Sequence, residues 1–230
     1  MRLGAPGSSA WDNRPVLEVS APGIEGFYLK TQIFEDFDNG TWLEKNNIKK
    51  YPVSDALLPQ MVNGQMTMFS TFEEIIPTPT GITAAKGNTI FLKSKDNILY
   101  ANDKPRTRML KFSMSQESPS VALTEGERRK NTVLPGDIAP SLREISSLLV
   151  ENETDNTVKA QILQDFFLDH FKYTLNVNYV ADNEGLIKMI IEKRPAYCTY
   201  FATALAMLLR AQGIPARVAT GFVVDEKISP

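Results

Sequence analysis

The chain of 230 residues sets 25 basic side chains against 27 acidic ones, a formal charge of −2, and is 43% hydrophobic with 14 prolines and 13 glycines. Such a composition supports one large or two small globular domains and contains no basic block long enough to grip nucleic acid or an anionic membrane surface. A single cysteine and a single histidine rule out an internal disulfide and a structural zinc site built from several such ligands.

The opening run, MRLGAPGSSAWDNRP, is broken by glycine, proline and charge where a secretory signal needs an apolar stretch, so residues 1–14 read as a flexible leader. Residues 15–114 alternate short extended runs with turn signals and predict a β-rich N-terminal domain. Its strands are expected at Phe27–Phe37, Thr41–Leu43, Gln65–Ile76, Thr89–Leu92, Ile98–Tyr100 and Met109–Met114. Asn39-Gly40 tolerates the positive φ values of a type I′ hairpin, with Trp42 packing across it. Asp36, Asp38 and Asn39 read as that turn rather than a calcium loop, because Gly40 occupies the place of a ligand. No metal or cofactor is expected. Residues 115–140 are rich in Ser, Pro, Gly and charge without periodicity and read as a linker.

After Pro140 the pattern turns helical, first with the capping-box sequence Ser141-Leu-Arg-Glu ahead of Ile145, Leu148 and Leu149. A second helix, capped by Asp155 or Thr157, carries Val158, Ile162, Phe166 and His170 at four-residue spacing, widened by Leu163 and Phe167. His170 closes that stripe and reads as structural, a cation favoured near a helix C-terminus. Pro195 suits a helix entry, Tyr197 to Gln212 is strongly helix-forming, and Gly213 with Pro215 ends the helix. Arg217 to Val224 follows as an apolar strand. The most apolar stretch, Thr199 to Leu209, is shorter than the roughly 20 residues that cross a bilayer.

Cys198 falls in the first turn of the third helix, where unpaired backbone N–H groups and the helix dipole stabilise a thiolate over a thiol. Its own N–H is placed to meet the oxyanion formed when a thiolate attacks a carbonyl. A buried core cysteine is the competing reading, since Cys198, Phe201, Ala202, Leu205, Leu208 and Leu209 share one helical face.

The run YTLNVNYVADNEGLIKMIIEKRPAYCTYFATALAMLLRAQGIPARVATGF, from Tyr173, resembles the transglutaminase-like core of the papain-like cysteine enzymes, in particular the bacterial membrane-anchored type. The likeness lies in the order of Tyr173-Thr174-Leu175, a short apolar segment, Cys198 with Tyr200-Phe201-Ala202, Leu209-Arg210-Ala211, Gly213-Ile214-Pro215-Ala216-Arg217 and Thr220-Gly221-Phe222. It implies an α+β fold, with residues 141–230 forming the helical first half of a papain-like core. It further implies that Cys198 is the nucleophile, attacking an amide or thioester carbonyl, while a histidine and an aspartate follow on later strands. Pro230 precedes both, and Asp225 comes too early for the third member, so the chain as written is expected to be inactive. Ala196 stands where the family commonly has glycine and is expected to crowd the thiol; Thr199 replaces a frequently acidic residue.

The resemblance implies a protein or peptide acyl donor and an amine or water acceptor, without nucleic acid. It also implies an extracytoplasmic address, periplasmic or extracellular, with membrane tethering only through segments outside this chain. Without later strands, Arg217 to Val224 is expected to remain an exposed apolar edge. The alternative, from a different class, is a non-catalytic scaffold that keeps the fold and binds proteins or glycans.

Overall fold

β-branched and aromatic runs separated by turn residues build the first half of the chain, and periodic apolar residues between caps build the second. The computed structural model describes residues 1–3, 15–24, 26–45, 47–69, 74–102, 109–115 and 122–224. Most of the expected leader, part of the expected linker, and Asp225 lie outside the described residues. The elements in order are β1 (Leu17–Ser20), β2 (Phe27–Phe34), β3 (Asp36–Asp38), β4 (Thr41–Leu43), β5 (Lys50–Pro52), β6 (Val62–Met68) and β7 (Ile75–Ile76). Next come β8 (Thr78–Pro79), β9 (Ile82–Lys86), β10 (Phe91–Ser94), β11 (Leu99–Ala101) and β12 (Met109–Met114). Then follow α1 (Glu125–Lys130), α2 (Ala139–Val150), α3 (Asn156–His170), α4 (Asn183–Ile191), α5 (Cys198–Ala211) and β13 (Val218–Val224). The fold is mixed α and β, as the sequence pattern requires.

The chain forms two compact units. One takes Phe34–Lys45 and Ala122–Val218 with the described N-terminal residues; the other takes the described residues of Trp11–Ile33, Asn46–Val121 and Ala219–Pro230. The β-rich unit contains antiparallel sheets in the orders β1-β6-β12-β9 and β5-β10-β11-β7, and the smaller β13-β2-β8. Its core gathers Leu29, Met66, Ile76, Phe91, Leu99, Leu110 and Phe112. β12 shows the two-residue period that places them, with Met109 and Lys111 exposed and Leu110 and Phe112 buried.

The expected strand over residues 27–37 breaks at Glu35, whose carbonyl accepts from Arg210 Nη2 at 2.7 Å. The expected strand over residues 65–76 is β6, which begins earlier, and a separate β7 that pairs with β11.

The helical unit packs α2, α3, α4 and α5 around Leu142, Leu163, Leu186, Met189, Ile190, Tyr200, Ala204 and Met207, with Phe34 and Trp42 joining them. Pro140 lies within the first turn of α2, where it needs no acceptor, so the helix starts at Ala139 and the Ser141 capping box is not used. The stretch read only as a short apolar segment is α4, capped by Asp182, whose Oδ1 accepts from Gly185 N at 2.7 Å. The expected linker is partly structural: Thr124 and Glu127 form a capping box on α1. Asn131 then offers its carbonyl to Ala216 N at 2.9 Å.

Candidate active site

α5 begins where its backbone is held from two sides. Thr174 N donates to the Ala196 carbonyl at 2.8 Å and Ala196 N donates to the Lys172 carbonyl at 3.1 Å, so Tyr173 and Ala196 form a parallel bridge. Tyr179 Oη donates to the Pro195 carbonyl at 3.2 Å. Tyr197, extended at φ −121°, is the N-cap, and Cys198 is the first helical residue.

Cys198 is exposed, whereas the buried residues of α5 include Tyr200, Thr203, Ala204, Met207 and Arg210. Of the face grouped with Cys198 from the sequence, Ala202 is also exposed, Phe201, Leu205 and Leu209 are half-buried against the core, and Leu208 is buried. Ala196 is fully buried in the core while the thiol beyond it stays open to solvent, so its methyl does not screen Cys198 as expected.

Edge-on aromatic contacts stiffen the start of α5: Tyr197 to Tyr200 at 5.1 Å and Tyr179 to Tyr200 at 5.3 Å between centroids. Burial, with Tyr197 and Asp182 nearby, pushes the Tyr200 phenol up to about 12, so it stays neutral at physiological pH. One turn along, Thr203 Oγ1 donates to the Thr199 carbonyl at 2.7 Å and accepts from Trp42 Nε1 at 2.9 Å. Trp42 thus does more than close its hairpin, although it also meets Phe37 across β3 and β4 at 5.0 Å. Asn39 (φ 36°) and Gly40 (φ 81°) form the expected positive-φ turn. A Cβ on Gly40 would stand 2.1 Å from the Ala181 carbonyl oxygen, so only glycine fits.

At the far end of α5, Gly213 (φ 73°) donates to the Arg210 carbonyl at 2.9 Å and Ile214 N to the Leu209 carbonyl at 3.0 Å, a Schellman ending. Arg210 is 3% exposed. Its guanidinium donates to the carbonyls of Ala216 (2.8 and 2.9 Å), Val133 (3.1 Å) and Glu35 (2.7 Å) and lies over the Trp42 ring. Only a planar fork reaches all three carbonyls at once. Beside it, the Glu35 carboxylate pairs with Lys45 (2.8 Å), Lys130 (3.1 Å) and Arg217 (3.2 Å). Burial raises its pKa, but Lys45 and Lys130 outweigh burial and hold it below the usual range.

A cleft of about 340 Å³ opens between α3 and α5, lined by Phe167, Leu168, Phe171, Tyr173, Phe201, Ala202 and Leu205, with Gln164 as its amide. Burial, with Cys198 nearby, raises the Tyr173 pKa. His170, the sole histidine, ends α3 exposed against the Phe166 ring at 5.6 Å. Among the described residues no hydrogen bond or ion pair joins it to Cys198. Sequence reasoning placed Cys198 in the first turn of this helix, but it missed the bridge at Tyr173, the bonds of Thr203 and the burial of Arg210. The parallel Tyr173–Ala196 bridge leaves no local signal in a single sequence.

Residues 143–229 match the model of the transglutaminase-like superfamily. Over 96 residues, 41% of this chain, the sequence is 32% identical to a protein-glutamine gamma-glutamyltransferase of Pseudomonas aeruginosa. A similar stretch is 28% identical to the uncharacterised protein YebA of Bacillus subtilis. The matched stretches span 14% and 13% of those proteins' lengths. The crystal structure of the periplasmic domain of TgpA from Pseudomonas aeruginosa has a similar fold, with a TM-score of 0.69 at 20% identity over 90% of this chain and 74% of that one.

Proposed function

We propose that this chain, whose residues 143–229 belong to the transglutaminase-like superfamily, carries at Cys198 the nucleophile of a cysteine-dependent acyl-transfer centre. The observation that carries this reading is the exposed thiol on the first residue of α5, inside the matched segment. In the reaction the thiolate adds to the carbonyl of a protein or peptide amide, the C–N bond breaks, and the amine departs with a proton. An amine or water then attacks the thioester and restores the thiol. The N–H groups opening α5 supply dipoles for the oxyanion.

The thiol needs a base. Among the described residues no histidine is hydrogen-bonded to Cys198, and loss of such a base costs on the order of 10⁶ in kcat, so acylation is expected to outpace turnover in these residues. The decisive experiment treats the folded chain with p-nitrophenyl acetate and examines Cys198 by mass spectrometry. A hydroxylamine-labile acetyl thioester, lost in Cys198→Ser, is expected. A folded chain that leaves Cys198 unacylated contradicts the nucleophile reading, and one that hydrolyses the ester catalytically through Cys198 contradicts the expected loss of turnover.

An extracytoplasmic address, with tethering through membrane segments outside this chain, is supported by the likeness to a periplasmic domain. Among the described residues no helix is long and apolar enough to cross a membrane. The alternative reading, a non-catalytic scaffold, draws on Ala196, which is buried in the core.

A further inference from the structure

We propose that the outward face of the sheet β1-β6-β12-β9 carries a binding site for a carboxylated sugar, whose carboxylate sits between Lys86 and Lys111. The site lies wholly within the β-rich unit and stands or falls independently of Cys198.

The register of the sheet sets its charge. Lys111 on β12 lies directly opposite Lys86 on β9, so both side chains leave the same face side by side. Like charges so placed repel one another, and on its other flank Lys111 meets the neutral Gln65 of β6. Both lysines are exposed, and among the described residues neither has a carboxylate partner. The pair burdens the folded sheet, and an anion between the two ammonium groups relieves that burden through charge-assisted hydrogen bonds.

The adjoining chain turns the pair into a cavity. Ala85 N donates to the Ser54 carbonyl at 2.9 Å and Leu58 N to Ser113 Oγ at 3.0 Å, so the segment from Ser54 to Leu58 lies over the paired Ala84 and Ser113. Both of those residues are fully buried. Two residues along each strand, on the same face, stand Lys86 and Lys111, where the cover stops. There a cavity of about 560 Å³ opens, with Leu57 and Met109 as apolar walls and Asn88 as an amide.

That volume suits a small ligand. Two cations match a carboxylate, an amide that both donates and accepts matches sugar hydroxyls, and the apolar walls match the C–H face of a ring. An added peptide strand fits less well, because Ser54 already occupies the edge of β9 beside Ala84 and Ala85.

Met109, 50% exposed in the cavity wall, is the reporter. The 230-residue chain is labelled with [¹³Cε]methionine, its Met109 signal is assigned with Met109→Leu, and digalacturonate, maltose and inorganic phosphate are titrated in turn. Digalacturonate should move the Met109 signal saturably, maltose should not, and phosphate should bind more weakly than the acidic sugar. In Lys86→Gln or Lys111→Gln the apparent Kd for digalacturonate should rise about three- to tenfold. Lys111→Glu, which sets a carboxylate opposite Lys86 and so keeps the sheet paired, should abolish the response. Thermal melts check that each variant folds. A Met109 signal that digalacturonate leaves unmoved, one that maltose moves equally, phosphate binding as tight as that of the sugar, or a full response in folded Lys111→Glu overturns the proposal, and each leaves the reading of Cys198 untouched.

Discussion

Glu35 illustrates how a single buried charge can be kept at the edge of a core. Its side chain is 9% exposed, and three cations surround it, of which Lys130 is 43% exposed and contributes less through solvent screening. Burial disfavours the carboxylate, and the Lys45 and Lys130 contacts more than reverse that, so the folded pKa lies below the unfolded one. A lowered carboxylate pKa adds stability above the unfolded value and loses it as pH falls through the folded value. Thermal melts from neutral pH into the acid range should show Glu35→Gln less stable at neutral pH by about 1–2 kcal/mol, with the gap closing on acidification. A gap that persists below the carboxylate range would mean that packing, not charge, sets the cost. Cys198 was legible at this scale because a helix start announces itself locally through Pro195 and the apolar run after it. The bridge between Tyr173 and Ala196 was not, since it joins residues far apart in the sequence.

Among elements, β13 was readable from its β-branched run, and it stands where expected, at the edge of the sheet β13-β2-β8, paired with β2 and with Val223 exposed. Gly221 is why the two strands approach so closely, since a Cβ there would lie 1.8 Å from the Leu29 carbonyl oxygen, and Leu29 is fully buried. Gly221→Ala is therefore expected to cost about 2–3 kcal/mol in chemical denaturation. A cost within a few tenths of a kcal/mol would show that the β2–β13 pairing can yield. The α5–β13 turn was also legible, because Gly213 and Pro215 are local signals. The role of Arg210 in fixing that turn was hidden, since an arginine in a helix's last turn ordinarily reads as solvated. Its burial becomes visible only with the carbonyls of Glu35 and Val133, which it contacts across 175 and 77 residues of sequence.

At the scale of the whole molecule, the same distinction separates what could be read from what could not. Helices, the hairpin and most strands follow from period and caps, so the α+β class and the helix–turn–strand order around Cys198 were accessible. The assignment of Phe34–Lys45 and of the chain between Ala122 and Pro140 to the helical unit was not. It rests on long-range bonds such as Trp42 to Thr203, 161 residues apart, which no local composition encodes. The central claim is that this fold presents Cys198 as an accessible nucleophile at a helix start rather than as a core thiol. The most direct test compares iodoacetamide alkylation of the native and urea-unfolded chain across pH, with Cys198 the only site of reaction. The account predicts that the native thiol reacts at neutral pH at least as fast as the unfolded one. A native thiol protected until the chain unfolds would contradict it.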